Sequence, residues 1–403
     1  MLISSNTFAD DIDYENELET SSLEVENKSK TEENLKLNSR SCVILDRTSS
    51  KVLYGKNEYN KVKMASTTKI MTAIIVIENY DLNETIEVSK KAANTGGSRL
   101  GLKTGDKITI NDLLYGLMLL SGNDAAVCLA ECTAGSVANF AVLMNNKASE
   151  LGLNNSHFES PHGLDSDNHY TTAYELAKLS NYALRNKTFA KIVGTKTYTV
   201  TINGSPKTLS NTNELLGNLN GVYGIKTGFT NGANRCLVTA CKRGNMDIIC
   251  VVLGADTKKF RTQDSVKLIE YAFNNFEYVD IENIVNSQFE TWKSKNMSTF
   301  SINKKSFTSN FDISLSKLDS YTFPVNKSES NNIKTLVNVE KNLDAPIKKG
   351  NIIGSINVYT ESSNLVTIPI IVNDDINRNN LSNYLYYFFK NYNSITFNAF
   401  SNI

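Results

Sequence analysis

Hydrophobic positions between residues 40 and 279 follow two alternating spacings, one typical of helices and one typical of strands. The run after Ser66 has the spacing of a helix face, and serine favours the position that caps a helix. A second helical stripe, which Asn111 would cap, and a strand-like run follow it. These three apolar patterns are Ile70, Met71, Ile74, Ile75; Leu113, Leu114, Leu117, Met118; and Cys236-Leu-Val-Thr-Ala. The pattern predicts an α/β (α+β) domain of mixed helices and strands.

Between about residues 280 and 373 the hydrophobic positions have only the alternating spacing that is typical of strands. Ile356 and Val358 alternate with polar neighbours, and a Glu-Ser-Ser-Asn turn leads to a second alternating run. That run is Val366, Ile368, Ile370 and Val372. We therefore predict a small all-β domain, and we identify no chemistry in it.

The two ends of the chain differ from these domains. Residues 1–10 resemble the tail of a secretory signal cleaved after Ala9, and acidic, polar residues then predict a disordered lead, so residues 1–39 form one segment. Residues 374–403 form an amphipathic, aromatic-rich tail with Leu381, Tyr384, Leu385 and Phe388 at helical spacing. Such a face either lies in a membrane interface or packs onto the β domain.

Composition narrows the function. The 403 residues contain 42 Lys+Arg and 42 Asp+Glu, so the balanced charge predicts no nucleic-acid partner. No run of 18 apolar residues is present, so the sequence predicts no membrane span.

The first chemical motif is Ser66-Thr-Thr-Lys69. Positions i and i+3 of a helix share a face, so Lys69 can reach the Ser66 hydroxyl. Apolar neighbours suggest that the ammonium is buried, and burial with a second cation nearby lowers the pKa of a lysine, which can then accept a proton. The Ser66 N–H can face an oxyanion. The alternative is an ordinary capped core helix with a snorkelling lysine.

The second motif is Ser121-Gly122-Asn123, between two helical patterns. In a catalytic interpretation Ser121 passes a proton to the leaving amine, and Asn123 hydrogen-bonds the substrate amide. In the alternative, this is only a helix–helix turn, for which serine, glycine and asparagine are common residues.

The third motif is Lys226-Thr227-Gly228, inside a strand-like segment with glycines on both sides, which suits close approach of a ligand. Lys226 supplies positive charge, Thr227 a hydroxyl and Phe229 a second N–H for an oxyanion. A similar string, Lys103-Thr-Gly, has a different setting and predicts a turn that leads into a short segment.

The three motifs occur together and in a fixed order, as in active-site-serine acyltransferases. With them, the chain resembles the low-molecular-mass penicillin-binding proteins, specifically the serine-type D-alanyl-D-alanine carboxypeptidases. Ser-Gly-Asn stands where class A β-lactamases have Ser-Asp-Asn. The resemblance rests on Ser41-Cys-Val-Ile-Leu-Asp, Lys63-Met-Ala-Ser-Thr-Thr-Lys-Ile-Met-Thr, Leu120-Ser-Gly-Asn-Asp-Ala-Ala, Pro161-His-Gly-Leu-Asp165, Gly224-Ile-Lys-Thr-Gly-Phe-Thr, Val252-Leu-Gly-Ala and Leu343-Asp-Ala-Pro-Ile-Lys-Lys-Gly.

The resemblance implies a catalytic domain at residues 40–279, with helices covering an antiparallel sheet, followed by the β domain at 280–373 as a spacer toward the membrane. It implies that Ser66 is acylated, that Lys69 accepts its proton, and that Ser121 and Asn123 assist. The substrate-binding residues would be Lys226, Thr227, Gly228, Phe229 and Arg261.

Arg261 matches a family position near the carboxylate site, the alternative being a surface arginine before a helix. The Asn211–Glu214 stretch lacks an arginine that some relatives have near the site.

Other residues with potentially reactive side chains are better explained by structural roles than by catalysis. His157, His162 and His169 lie close together in the sequence, but their spacing fits no usual zinc-ligand pair, so we predict no metal and no other cofactor. Glu175 follows Thr172 in the pattern of a capping box, which makes it a poor candidate for the deacylating carboxylate of a β-lactamase. Of the six cysteines, Cys236 and Cys250 lie on two predicted strands, and the sequence leaves open whether a disulfide joins them.

These features predict an exported enzyme that removes the terminal D-alanine from peptidoglycan stem peptides ending in D-Ala-D-Ala, through an acyl-enzyme. It would act at the outer face of the cytoplasmic membrane or in the cell wall. β-Lactam antibiotics would be inhibitors, and the C-terminal tail would make a peripheral membrane contact. Two alternatives are a β-lactamase of the same fold and a catalytically idle penicillin-binding wall module.

Overall fold

The structure is a computed structural model, and it describes residues 35–306, 310–382, 384–386 and 388–389. The signal remnant and most of the disordered lead predicted for residues 1–39 lie outside the described residues. Contacts divide the chain into two compact units, Met1–Phe276 and Glu277–Ile403.

The first unit combines one five-stranded sheet, two small two-stranded antiparallel sheets and eight described helices. The larger sheet contains β1 (Ser41–Asp46), β2 (Val52–Lys56), β7 (Val222–Thr230), β8 (Asn234–Arg243) and β9 (Met246–Ala255). The two-stranded sheets pair β3 (Thr85–Glu87) with β4 (Lys107–Thr109) and β5 (Thr197–Ile202) with β6 (Ser205–Ser210). The helices are α1 (Lys69–Asn79), α2 (Lys90–Ala93), α3 (Ile110–Leu119), α4 (Asn123–Ala134), α5 (Val137–Glu150), α6 (Ala173–Ala183), α7 (Lys187–Val193) and α8 (Lys258–Asn275).

The central sheet is antiparallel and has the strand order β2-β1-β9-β8-β7. Strands β1, β8 and β9 are apolar along most of their length because α6 and α8 pack against them. Strand β7 is an edge strand, and the short 3-10 turn Ala65–Thr68 packs against it. This contact brings the first and third sequence motifs together.

Helix α1 is buried from Lys69 to Val76, which is unusual for a helix that begins with a lysine. It packs among α3, α4, α5 and α6 at the centre of the hydrophobic core. A charged side chain is fully buried only when it is paired or hydrogen-bonded, so Lys69 needs acceptors inside the core.

Two predicted helix caps are wrong. The side chain of Thr109, not Asn111, caps α3 by accepting a hydrogen bond from the Asp112 N–H. Ser66 does not cap α1, because it lies inside the 3-10 turn that precedes the helix. Serine and asparagine are good caps in general, but tertiary contacts decide where each helix begins.

The second unit consists mostly of β-strands and has its own hydrophobic core. A four-stranded sheet has the order β12-β17-β16-β14, and two-stranded pairs join β10 with β13 and β11 with β15. The hairpin predicted from the alternating runs is present as the last two strands. The elements are β10 (Phe276–Asp280), α9 (Glu282–Asn296), β11 (Ser301–Asn303), β12 (Ile313–Leu315), β13 (Thr322–Asn326), β14 (Lys334–Val339), β15 (Asn342–Asp344), β16 (Ile352–Tyr359) and β17 (Asn364–Val372).

Helix α9 was not predicted from the sequence, and it places Val285 and Phe289 in this core, beside Ile281 at its N-cap. The described residues of the tail from Leu381 onward are helical, and its large apolar side chains are exposed: Leu381, Tyr384, Leu385, Tyr386, Phe388 and Phe389. In the described residues no single helix is both long and apolar enough to cross a bilayer, although α4 and α5, bent by 83°, meet that criterion as a pair.

Candidate active site

Ser66 lies in the second position of the turn Ala65–Thr68, directly before α1. Its backbone oxygen accepts a hydrogen bond from the Lys69 N–H, and its side chain points to the Lys69 ammonium nitrogen instead of capping the helix. Ala65 begins the turn with φ 48°, a left-handed conformation that costs free energy for any residue other than glycine. The turn therefore stores backbone strain next to the candidate nucleophile.

Lys69 connects the first two motifs. Its Nζ lies 2.7 Å from Ser66 Oγ, 2.7 Å from Asn123 Oδ1 and 3.0 Å from the His162 carbonyl oxygen, and the side chain is 0% exposed. A neutral amine has two N–H donors and one lone pair. The two carbonyl-type oxygens can act only as hydrogen-bond acceptors. A neutral Lys69 would therefore donate one N–H group to each of them. Its lone pair would then face the Ser66 hydroxyl.

The connector between α3 and α4 carries Ser121 and Asn123. Asn123 Nδ2 donates to the Gly96 carbonyl oxygen at 2.8 Å, which turns the amide so that Oδ1 faces Lys69. Ser121 has φ 62° and is fully buried, yet its Oγ has no hydrogen-bond partner in the described part of the protein. A buried hydroxyl without a partner is rare and needs an explanation, for which a bound substrate is one candidate.

A buried carboxylate holds this connector in place. Both Asp124 side-chain oxygens accept backbone N–H groups, from Leu100 at 2.8 Å, Gly101 at 2.8 Å and Leu102 at 3.0 Å. A Cβ at Gly122 would lie 2.9 Å from Asp124 Oδ1 and 3.1 Å from the Leu100 nitrogen. The middle position of this motif therefore has no room for a side chain unless the loop moves.

Strand β7 brings the third motif to the nucleophile turn. A Cβ at Gly228 would lie 3.1 Å from the backbone nitrogen of Ser66, so glycine permits close packing of β7 against the nucleophile turn. Alternate residues of a strand share a face, so Lys226 and Gly228 lie on the same side of β7. Lys226 is 1% exposed and donates to the Thr227 carbonyl oxygen at 3.0 Å. Thr227 Oγ1 lies 2.7 Å from Thr212 Oγ1.

The loop Pro161–Asp165 borders the site and contacts both Lys69 and the end of β7. The Asp165 carboxylate accepts from Thr230 Oγ1 at 2.6 Å and from the Gly232 N–H at 2.8 Å, which ties the loop to the end of β7. The His162 carbonyl oxygen accepts from Lys69. Burial, and then the charge of Lys69, lowers the pKa of the His162 ring to about 3, so this ring is neutral in the working range.

Arg261 lies inside α8 and is 2% exposed, so the alternative of a surface arginine before a helix is wrong. Its Nη2 lies 3.9 Å from Glu214 Oε2. Glu214 is two residues from Thr212, which contacts Thr227, so Arg261 lies toward the Lys226-Thr-Gly side of the site. Glu214 occupies the stretch in which some relatives have an arginine.

Arg235 is a residue that the sequence reasoning missed. It lies opposite Phe229 in the β7–β8 ladder, and its guanidinium carbon is 3.7 Å from the centre of the Phe229 ring. A cation over an aromatic face is stabilising, so this pair fixes the residue that follows Gly228. The Asn231-Gly232 turn between two strand-like runs is the signal from which this pairing was predictable.

Two features that the sequence analysis did not assign to catalysis, Glu175 and the Lys103-Thr-Gly string, have structural roles. Thr172 caps α6 by accepting from the Glu175 N–H at 3.0 Å. The Glu175 carboxylate instead accepts from the Asn155 N–H at 2.9 Å and from Ser156 Oγ at 2.6 Å, so the return bond of a capping box is replaced. Lys103-Thr-Gly forms a turn before β4, as predicted, with the Lys103 N–H bonded to the Asp106 carboxylate.

The cysteines and histidines of the described residues have the following surroundings. Cys250 lies opposite Thr239, three residues along β8 from Cys236, and all six cysteines are outside disulfides. The described residues contain no cluster of three or more His, Cys, Asp or Glu side chains able to hold a metal ion. His157 and His169 bond to backbone groups of the 157–169 segment.

Together the fold and site define an active-site-serine enzyme with a lysine beside the nucleophile and a glycine-containing edge strand. Residues 27–257 match the family model described as D-alanyl-D-alanine carboxypeptidase, and residues 295–378 match the C-terminal domain of penicillin-binding protein 5. The chain therefore belongs to the D-alanyl-D-alanine carboxypeptidase family of penicillin-binding serine peptidases. The family, the fold class and the serine-type carboxypeptidase function predicted from the sequence are confirmed.

Individual relatives agree with this membership. The chain is 34% identical to the D-alanyl-D-alanine carboxypeptidase DacF of Bacillus subtilis over 348 residues, 84% of this chain and 86% of the relative. It is 33% identical to DacC of Escherichia coli, over 84% of each chain. The solved penicillin binding protein 5 of Haemophilus influenzae has a TM-score of 0.70 and 27% identity, covering 86% of this chain and 99% of that one.

Proposed function

We propose that Ser66 is the residue acylated by peptidoglycan stem peptides ending in D-Ala-D-Ala, and that Lys69 is its base. The observation that carries this assignment is the position of Lys69 Nζ, 2.7 Å from Ser66 Oγ with two carbonyl-type oxygens on its other sides. This geometry suits a neutral amine whose lone pair faces the hydroxyl.

In the acylation step the Ser66 hydroxyl proton passes to Lys69 Nζ while Oγ bonds to the carbonyl carbon of the penultimate D-alanine. The Ser66 and Phe229 N–H groups receive the oxyanion. The carbon–nitrogen bond then breaks, and the leaving amine of the terminal D-alanine takes a proton through the Ser121 hydroxyl. The unpartnered Ser121 Oγ supports this relay. Water then attacks the ester and gives a proton to Lys69, the bond between Ser66 Oγ and the acyl carbon breaks, and Lys69 returns the proton to Ser66 Oγ as the shortened peptide leaves.

Substrate binding is assigned to β7 and its neighbours. Lys226 and Thr227 hold the terminal carboxylate, with the buried Arg261 adding positive charge from α8. Asn123 orients the substrate amide, and Gly228 gives the peptide access to the nucleophile turn. Because Glu214 lies 3.9 Å from Arg261, its negative charge weakens the contribution of that arginine to carboxylate binding.

Release of D-alanine tests this proposal. The protein is incubated with a D-Ala-D-Ala-terminated peptide, and free D-alanine is measured beside Ser66→Ala and the exposed-hairpin control Ser205→Ala. We expect release from the wild type and the control, and none above background from Ser66→Ala. Folded wild-type protein that releases no D-alanine across the pH range would refute the activity.

The β-lactamase alternative is disfavoured by Glu175 and Gly122. The Glu175 carboxylate accepts two structural hydrogen bonds, and Gly122 has no space for the aspartate of Ser-Asp-Asn. We therefore expect a long-lived penicilloyl adduct on Ser66 by mass spectrometry, whereas rapid turnover without an adduct would favour the lactamase. An idle wall module would keep its cellular role in a Ser66→Ala strain.

We also propose that the enzyme is exported and acts at the outer face of the membrane or in the cell wall, because its substrate is assembled there. Residues 40–279 would be the catalytic domain, 280–373 the spacer, and 374–403 the membrane contact. The exposed side chains of Leu381, Tyr384 and Phe388 support that last role. Vesicle sedimentation tests it: a Leu381→Ser, Phe388→Ser variant should lose binding to anionic vesicles that the unchanged protein retains.

A further inference from the structure

A buried chain of hydrogen bonds runs behind the nucleophile turn and uses groups to which the reaction assigns no role. His169 Nδ1 accepts from the Glu159 N–H at 3.0 Å, and His169 Nε2 lies 2.8 Å from Thr68 Oγ1. Thr68 Oγ1 donates to the Ala65 carbonyl oxygen at 2.8 Å. The chain therefore joins His169 to the first residue of the turn.

The direction of each bond follows from the donors available. Because His169 Nδ1 accepts a backbone N–H, a neutral ring carries its proton on Nε2. That Nε2–H donates to Thr68 Oγ1, which leaves the Thr68 hydroxyl proton for the Ala65 carbonyl. Neutral His169 thus allows one consistent orientation of all three groups.

The surroundings keep the ring neutral. His169 is 2% exposed, and Phe158 contacts it edge-on, with ring centres 5.8 Å apart. Burial lowers the pKa of His169 to about 4, although nearby Glu159 acts in the opposite direction. The other titratable groups that act on the ring are His157, Asp165 and Lys69. A protonated ring would direct an Nδ1–H at the Glu159 N–H, so the hydrogen bond from Glu159 that holds the ring would be lost, while the Nε2–H could still donate to Thr68.

The Ala65 carbonyl matters because of the peptide bond to which it belongs. The Ala65 C=O and the Ser66 N–H are parts of one planar trans peptide, so they point in opposite directions and rotate together. Fixing the carbonyl oxygen therefore fixes the direction of the N–H. Ala65 has φ 48°, so the turn needs such a restraint, and Gly163 packs so closely that a Cβ there would overlap the Ala65 oxygen.

We propose that His169 is a positioning residue for the oxyanion donor of this enzyme: through Thr68 and the Ala65 carbonyl it aims the Ser66 N–H at the reacting carbonyl oxygen. This inference rests on the proposed function, in which Ser66 is the nucleophile. His169 touches neither substrate nor nucleophile and acts only through the peptide plane.

The test compares two replacements of His169, each of which retains a polar group at the position of a different ring nitrogen. Glutamine places an amide N–H near Nε2 and can still donate to Thr68, whereas asparagine reaches only the Nδ1 position and cannot. We expect His169→Asn to lower the rate constant of Ser66 acylation by about 10-fold or more, up to the loss of a whole oxyanion donor. His169→Gln should restore most of the rate. With a penicillin as the acylating compound, the dissociation constant of the complex that forms before acylation should stay unchanged.

Thr68→Val removes the same link without touching His169, and it serves if the asparagine variant fails to fold. The double variant His169→Asn, Thr68→Val should be acylated no more slowly than the slower single variant, because each substitution breaks the same chain of hydrogen bonds. His157→Gln is the matched control, since His157 bonds to the Asn168 carbonyl and not to the turn.

A second measurement separates positioning of the oxyanion donor from general damage. An ester substrate and its thiono analogue, with C=S in place of C=O, are compared in each variant. Sulfur fits a well-aimed oxyanion site poorly, so the oxygen-to-sulfur rate ratio should fall in His169→Asn and Thr68→Val and recover in His169→Gln. An unchanged ratio, or normal acylation in the folded fraction, would overturn the proposal. A wild type that is never acylated would instead refute the proposed function.

Discussion

The substitution Lys69→Arg tests the base directly, because arginine keeps the charge but stays protonated at every working pH. Lys69 is fully buried and meets Ser66 Oγ, Asn123 Oδ1 and the His162 oxygen. A guanidinium can still donate to these acceptors, but it offers no lone pair to the Ser66 hydroxyl.

The expected loss can be estimated from this geometry. A positioned general base contributes about 10²–10⁴-fold in rate, which corresponds to about 3–5 kcal/mol of activation free energy. The larger arginine also has to fit a space without solvent, and such overpacking costs about 1–3 kcal/mol of folding stability. Acylation should therefore fall far more steeply than the folded fraction.

The assay is stopped-flow acylation by a chromogenic penicillin between pH 5 and pH 10, with thermal unfolding measured on the same samples. Lys63→Arg is the control, because Lys63 is half-buried at the surface and pairs with Asp167 at 3.5 Å. Wild type and control should show an acid limb in which acylation rises with pH, and Lys69→Arg should be slow and flat. A folded Lys69→Arg variant with near-normal acylation would remove Lys69 from the role of base.

Three further predictions concern stability and the loops around the site. The folded-state pKa of His169 is lowered from 6.5 to about 4. The contribution of the neutral ring to the free energy of unfolding is therefore fully present above pH 6.5 and is lost as the pH falls to about 4. This loss is about 3 kcal/mol in urea unfolding, and His169→Gln should show a smaller dependence on pH than the wild type. Gly163→Ala should destabilise the protein by several times the roughly 1 kcal/mol expected for Gly204→Ala, because both glycines have positive φ but only Gly163 lacks space for a Cβ. Asp124→Asn replaces an oxygen that accepts backbone N–H groups by an amide, so acylation and melting temperature should both fall; equal melting temperatures would contradict the role given to Asp124.

Local rules predicted the parts of the site that depend on spacing along one element. The contact of Ser66 with Lys69 follows from their separation by three residues, and the turn at Ser121-Gly122-Asn123 follows from its composition. The hairpin of β16 and β17 likewise follows from alternation of apolar residues. These features need no knowledge of distant contacts.

Features that depend on distant backbone atoms were not predictable. The His162 carbonyl reaches Lys69 across 93 residues, and every residue type has a carbonyl, so no sequence signal marks it. The cap expected at Ser66 is absent because β7 and the loop Pro161–Asp165 hold that residue in a 3-10 turn. Helix α9 was missed because only a few of its residues are buried, such as Val285 and Phe289, which leaves a weak apolar stripe.

Strand β7 has one further consequence, which concerns solubility. It is the last strand of the largest sheet, and no described strand pairs with its outer side. An open edge with unpaired backbone groups is a template for any extended chain, including a second copy of the same protein. Natural sheets often protect such edges with an inward-pointing lysine, and Lys226 occupies such a position. One charge would then serve both to attract a carboxylate and to discourage copies of the enzyme from joining edge to edge.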